Sequence, residues 1–175
     1  MSTSQTIEDS RSDVDSFNAL EEREARALLV SCLAVPRWVS EVLAGRPYDT
    51  GAALLDRAGS VARTLSEDEV DAALARHPRI GEQPGEGHDV EFSQSEQAGV
   101  TSNAEPLADA LRVGNAEYEH RFSRVFLIRA AGRTSGEVLS ELRRRLANGK
   151  GAELAETVGQ LGEIAVLRLK QVLAR

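Results

Sequence analysis

Apolar residues recur at helical spacing along most of the chain, and strong strand-like alternation is absent. From Leu20 to Leu33 good helix formers dominate, with Leu28, Leu29 and Cys32 on one apolar side and Pro36 beyond the stop. A short helix around Trp38 to Ala44 ends at Gly45. Thr50 is placed to cap a third helix carrying Leu54, Leu55, Ala58 and Val61, and Ser66 with Glu69 forms the capping box of a fourth that stops at His77-Pro78. The stretch from Pro78 to Phe92 is rich in glycine and proline and reads as a loop. Ser93 and Glu96 form another capping box, for a helix through about Thr101, and a longer helix runs from near Pro106 to Phe122. Val125 to Ile128 is an apolar run that periodicity leaves unassigned. Thr134 or Ser135 caps a helix reaching Ala147, Asn148-Gly149-Lys150-Gly151 is a turn, and a terminal helix extends to Leu173. The pattern predicts an all-α, compact bundle of about eight helices, with no solenoid repeat.

The first sixteen residues lack periodic apolar positions, so residues 1–16 are expected to be a disordered tail and 17–175 a single helical domain. Aromatic residues make up 4% of the chain, which leaves Leu, Val and Ala to build the core and strengthens the helical reading. A formal charge of −7 disfavours a phosphate-binding surface, so no nucleic-acid partner is expected. Cys32 is the only cysteine, which excludes an internal disulfide or a thiolate zinc cluster and fits a reducing, cytoplasmic setting. No apolar run is long enough to suggest a secretory signal or a membrane span.

The candidate chemistry is polar and dispersed. His77 ends a helix directly before Pro78, where an imidazole either faces a ligand or only complements the helix dipole. His88 and His120 complete no metal-ligand spacing with it and read as solvent-facing. Ser93-Gln94-Ser95-Glu96-Gln97 is a cap by spacing, yet a helix N-terminus with hydroxyls, a carboxylate and an amide also suits a polar, partly anionic molecule. Arg168 is more informative: Leu154, Val158, Leu161, Ala165 and Val172 form one stripe of the last helix, and Arg168 lies within it. A guanidinium there needs a partner, either a structural carboxylate such as Glu105 or Glu117, or the carboxylate of a substrate. Arg143-Arg144-Arg145, with Glu141 nearby, reads as a solvated face. Arg121, Arg124, Arg129 and Arg133 receive no role from their spacing, and Trp38 and Phe92 read as core or pocket walls. No phosphate loop, nucleophile elbow or metal box is present.

Taken in order, these motifs resemble a known family. Cys32 with Pro36-Arg37-Trp38 and Arg46-Pro47, then His77-Pro78-Arg79-Ile80-Gly81-Glu82, Ser93 to Gln97 with Ala98-Gly99, Asn115 with Tyr118, Arg121-Phe122 with Phe126, and Leu167-Arg168-Leu169 are similar to 2-oxo-4-hydroxy-4-carboxy-5-ureidoimidazoline (OHCU) decarboxylases. The resemblance runs from about Phe17 to the C-terminus. It implies an all-α, commonly dimeric enzyme of urate breakdown that removes CO2 from a small ureidoimidazoline to give (S)-allantoin, without metal or organic cofactor. By that resemblance His77 is the catalytic histidine, with Glu96 beside it in the chemistry, and Pro78 is the neighbour of His77 in the pocket. Ser93, Gln94, Ser95, Glu96 and Gln97 bind substrate, Arg168 is a pocket arginine, and the backbone of Phe126, Leu127, Ile128, Arg129 and Ala130 holds the ring amides. The chain departs from the family pattern at Ser123-Arg124-Val125 and in carrying Arg129 where cysteine is common. A non-catalytic module that senses a purine catabolite would keep Gln97 and Arg168 and need no ionisable group at His77. A scaffold bundle would need none of these residues.

Overall fold

The structure, a computed structural model, describes residues 13–77, 79–81 and 105–174. Among them lie eight helical segments and no strand. They are α1 (13–19), α2 (Glu22–Cys32), α3 (Pro36–Leu43), α4 (Gly51–Ala62), α5 (Glu67–Leu74), α6 (Glu105–Phe122), α7 (Ser135–Leu146) and α8 (Lys150–Leu173). Contacts divide the chain into two compact units, one of residues 1–65 with 162–175 and one of residues 66–161. Helix α8 contributes its first half to the second unit and its last half to the first.

In the first unit, Pro36 opens α3 at the position where its missing N–H is harmless. Thr50 caps α4 by accepting the Ala53 N–H at 3.1 Å. Trp38 is fully buried and donates its indole N–H to the Ala58 carbonyl at 2.9 Å, which makes it a core residue. Small residues let the end of α4 and the middle of α8 approach closely: a Cβ on Gly162 would stand 3.3 Å from that of Ala62. Asn18 exchanges two hydrogen bonds with the Tyr48 backbone, and the Tyr48 ring occupies the space that a side chain on Gly45 would need. Residues 13–16, placed by expectation in the tail, are instead helical, and Val14 is fully buried. Val14 and Phe17 are three apart and turn to one side of α1, so a single helical turn was too short to show as periodicity.

In the second unit, α5 begins with the expected Ser66–Glu69 capping box and α7 with a Thr134–Glu137 box. Leu111, Tyr118, Phe122, Phe126, Ile128, Ala130, Val138, Leu139 and Leu142 pack with Ile80 as one cluster. Gly114 allows that packing, since a Cβ there would come within 2.6 Å of Leu142. The helix ends differ modestly from expectation: α5 stops at Leu74 with His77 in the following turn, and α8 starts at Lys150 inside the predicted turn. The unassigned run from Val125 to Ile128 is irregular chain whose apolar side chains fill the core. The predicted helix from Ser93 and most of the Pro78–Phe92 loop lie outside the described residues.

Candidate active site

His77 follows α5 by one turn, its N–H bonded to the Leu74 carbonyl at 3.0 Å. The side chain is half-buried, and Nδ1 lies 3.0 Å from the Ala73 carbonyl. A carbonyl only accepts, so Nδ1 carries hydrogen, which leaves the buried Nε2 as the nitrogen that gains or gives up a proton. The chain beyond is held by one stripe of α6. Leu111, Asn115 and Glu119, four residues apart, meet Gly81, Ile80 and Arg79 in reverse order. Asn115, 4% exposed, donates to the Ile80 carbonyl at 3.0 Å, and Glu119 accepts two bonds from Arg79 at 2.5 and 2.8 Å. Those bonds hold the Glu119 carboxyl below the usual carboxylate range. Gly81 sits at φ 86°, a left-handed conformation that favours glycine.

The 126–130 segment is reached through Ser123, whose N–H bonds the Glu119 carbonyl at 2.8 Å in the left-handed conformation (φ 58°) that terminates α6. Arg124 turns back to Glu67 and, at 3.2 Å, to Asp71 on α5, which closes an ion-pair link to that helix. Phe126, Leu127, Ile128 and Ala130 all bury their side chains. Their backbone is therefore the part of them a ligand could meet.

That backbone is held by a network which the sequence reading missed. Arg145 and Glu153 are each 1% exposed. Arg145 donates from Nε and Nη2 to Glu153 at 2.8 and 2.5 Å, from Nη2 to Thr157 Oγ1 at 3.1 Å, and from Nη1 to the Leu127 carbonyl at 2.7 Å. The Phe126 ring lies 4.8 Å from its guanidinium carbon. Glu153 also accepts from the Tyr118 hydroxyl and, at 2.8 Å, from Asn148. Burial, reinforced by that hydrogen bond to Glu153, pushes the Tyr118 hydroxyl up to about 12. The solvated-face reading of Arg143-Arg144-Arg145 therefore fails at Arg145 while its neighbours are exposed. The signal was present: Val138, Leu142 and Arg145 are spaced as one helical stripe, the same argument that singled out Arg168.

In the first unit, Arg168 is buried as its stripe predicted, at 1% exposed. Its charge lowers the Cys32 thiol somewhat, but burial outweighs it and pushes that thiol up to about 12, so Cys32 is a neutral core residue. His120 is exposed, as expected. Pro78, Ser93, Gln94, Ser95, Glu96 and Gln97, with His88 and Phe92, lie outside the described residues. Among the described residues, no group of three or more His, Cys, Asp or Glu is arranged to hold a metal ion, and no helix is long and apolar enough to cross a membrane.

The chain is similar in sequence or fold to several known proteins. A "Uric acid degradation bifunctional protein" of Bacillus sp. (strain TB-90) is 25% identical over 159 residues, 89% of this chain and 31% of that protein. The "Uric acid degradation bifunctional protein TTL" of Arabidopsis thaliana is 32% identical over 105 residues, 57% of this chain and 32% of that protein. The chain thus spans about a third of the length of these curated relatives. The fold matches a crystal structure of OHCU decarboxylase in the presence of (S)-allantoin at TM-score 0.72 and 20% identity, covering 89% of this chain and 100% of that one. It also matches a crystal structure of (S)-allantoin synthase at TM-score 0.66 and 17% identity, covering 90% of this chain and 53% of that one. The family model for OHCU decarboxylase matches residues 18–170, across both compact units, and the chain belongs to that family.

Proposed function

We propose that this chain decarboxylates 2-oxo-4-hydroxy-4-carboxy-5-ureidoimidazoline to (S)-allantoin in urate breakdown, using its own side chains and backbone. The observation that carries the reading is the family match over residues 18–170. His77 has a geometry suited to the part, since fixing Nδ1 on Ala73 gives Nε2 the proton-transfer role. The bond between C4 and its carboxylate breaks, CO2 leaves, and the electron pair forms a C4=C5 double bond while the electrons of the neighbouring C5=N bond move onto the ring nitrogen, which leaves an enol at the C4 hydroxyl. N–H donors near the ring atoms that gain negative charge lower the barrier. A proton from His77 Nε2 then reaches C5 on one face, the C4 hydroxyl becomes the C4 carbonyl as its proton passes to the ring nitrogen, and the product is a single enantiomer.

The remaining roles follow the same reading. Arg168 clamps an anionic group of the substrate through its planar fork. Ser93 to Gln97 bind the ureido side, with Glu96 orienting the substrate hydroxyl or the ureido nitrogens, and Pro78 lines the pocket beside His77. The backbone of 126–130 pairs with the ring amides. The relatives named for uric acid degradation support this choice of substrate. Residues 17–175 are taken as one functional domain, working in the cytoplasm as a homodimer, which light scattering on the purified protein tests.

The deciding experiment generates the substrate from urate in situ and follows the product by circular dichroism. Optically active allantoin should appear faster with the protein than without it. Formation no faster and no more enantioselective than in the protein-free control removes the decarboxylase reading.

A further inference from the structure

The segment assigned to the substrate ring offers backbone, and backbone recognises a ligand only when its peptide planes are fixed. Two side chains fix them here from opposite directions. Arg145 Nη1 donates to the Leu127 carbonyl at 2.7 Å, while Gln160 Oε1 accepts the Arg129 N–H at 2.7 Å. The Ile128 residue lies between these two anchors, its side chain buried in the core of its unit.

We propose that Arg145 and Gln160 are positioning residues: together they orient the peptide groups on either side of Ile128 so that these meet the amides of the substrate ring. This rests on the decarboxylase reading above. Neither residue was marked by the sequence as part of the site, and neither is asked to touch the reacting atoms.

The geometry on α8 supports the assignment. Glu153, Thr157 and Gln160 are spaced by four and three residues, so they occupy one face of that helix. Glu153 and Thr157 bind the Arg145 guanidinium, and Gln160 binds the segment itself. A single helical face thus supports both anchors, one directly and one through Arg145. Tyr118 and Asn148 in turn hold Glu153, and the Phe126 ring covers the guanidinium. A buried arginine needs a counter-charge, which Glu153 alone would supply. Its further bond to a backbone carbonyl in an irregular segment is what a positioning role adds. The two anchors also differ in type: one donates to a carbonyl and one accepts from an N–H, so both a C=O and an N–H of the segment are held.

Gln160 is the better handle for a test, because it is half-buried and uncharged, whereas losing Arg145 strands Glu153. Gln160→Met keeps length and removes the acceptor; Gln160→Glu keeps an acceptor oxygen. Losing one such hydrogen bond corresponds to about a tenfold effect. Gln160→Met should therefore raise KM and weaken (S)-allantoin binding about tenfold, with a smaller change in kcat. Its melting temperature should stay within a few degrees of wild type, and exchange of the Arg129 amide hydrogen should accelerate. Gln160→Glu should restore most of the affinity and the protection.

Unchanged KM and unchanged (S)-allantoin binding in Gln160→Met would overturn the positioning role and leave the decarboxylase reading standing. So would a loss of activity that only tracks a fall in melting temperature. A wild-type protein that does not accelerate the reaction at all would overturn the decarboxylase reading, and this role with it.

Discussion

Two regions of the second unit are each secured by neighbouring helices, and by opposite means. The turn that carries His77 is held by a stripe of α6 whose ion pair with it, Arg79–Glu119, is 48% and 25% exposed at its two side chains. The 126–130 segment is held by Arg145 and Glu153, each 1% exposed, with Tyr118, Thr157 and Asn148 closing around them. Exposed pairs contribute about 0–1 kcal/mol, because water screens them and two long side chains lose freedom. Breaking a buried pair costs about 3–5 kcal/mol, because the surviving charge has no solvent to replace its partner. The proton-transferring group of the proposed reaction thus stands on a lightly held turn, and the recognising backbone on a rigid support. A single imidazole can still align by rotation about its side-chain bonds, whereas a row of peptide groups that must match a ring has no such freedom once its backbone is placed.

The sharpest way to break the contrast is to remove the rigid support. Arg145→Met should destabilise the protein by about 3–5 kcal/mol in urea unfolding, a large share of a typical domain's total. Combining it with Glu153→Met should recover part of the loss, since no buried charge is then stranded. A loss below about 1 kcal/mol for the single variant would mean that the network supports nothing.

The opposite change removes chemistry and spares support. His77→Ala gives up the hydrogen bond to the Ala73 carbonyl from a half-buried position outside the apolar cluster of its unit. We expect kcat to fall by about 10²–10⁴-fold, the usual contribution of a general acid–base group, with the melting temperature shifted by only a few degrees. A near-wild-type rate would place the proton donor elsewhere.

Arg168, in the other unit, asks to which class a second buried arginine belongs. If it clamps substrate, Arg168→Lys should impair turnover more than folding, because lysine keeps the charge and loses the bidentate fork. Arg168→Met should fold and be nearly inactive, since an apolar side chain suits the stripe on which it sits. A stable and active Met variant would place Arg168 with Arg145, among the residues that hold. Thermal melts and steady-state kinetics on the same preparations separate the outcomes.

Most of the helical layout was legible because it is written in local signals. The Ser66–Glu69 and Thr134–Glu137 boxes, the Thr50 cap and Pro36 all act within a few residues of themselves. Arg168 was legible for a similar reason, as a charge on an otherwise apolar stripe. Arg145 carried the same signal and was misread, because Arg143 and Arg144 beside it made the run look like a solvated face. Three consecutive residues point in three directions on a helix, so a charge run says nothing about its middle or last member. Gln160 was not legible at all. Its partner is a backbone N–H 31 residues away in an irregular segment, and no side-chain pattern announces a bond to backbone. The role proposed for His77 rests on resemblance; its position before a proline by itself favours a dipole partner.

The smallest effect tests the lightly held side of the comparison. Glu119 is kept below its ordinary carboxylate range chiefly by the hydrogen bond from Arg79, with partial burial opposing. A carboxyl lowered by folding binds fewer protons in the native than in the unfolded state, so it stabilises the fold above its unfolded value. That contribution is lost as pH falls through the lowered native value. Comparing wild type with Glu119→Gln in urea at several pH values should therefore show a difference of about 0–1 kcal/mol near neutrality that shrinks to nothing in acid. Raising salt to about 1 M should shrink it as well, because a pair this exposed is open to screening. Asn115 and Gly81 still hold the turn in the variant, so kcat should change by no more than a few-fold. A difference that persists unchanged in acid and in salt would mean that Glu119 acts as packing, not as a charge. A collapse of kcat with stability intact would mean that the turn bearing His77 depends on this pair for its geometry, and the two regions would then be held to the same tolerance.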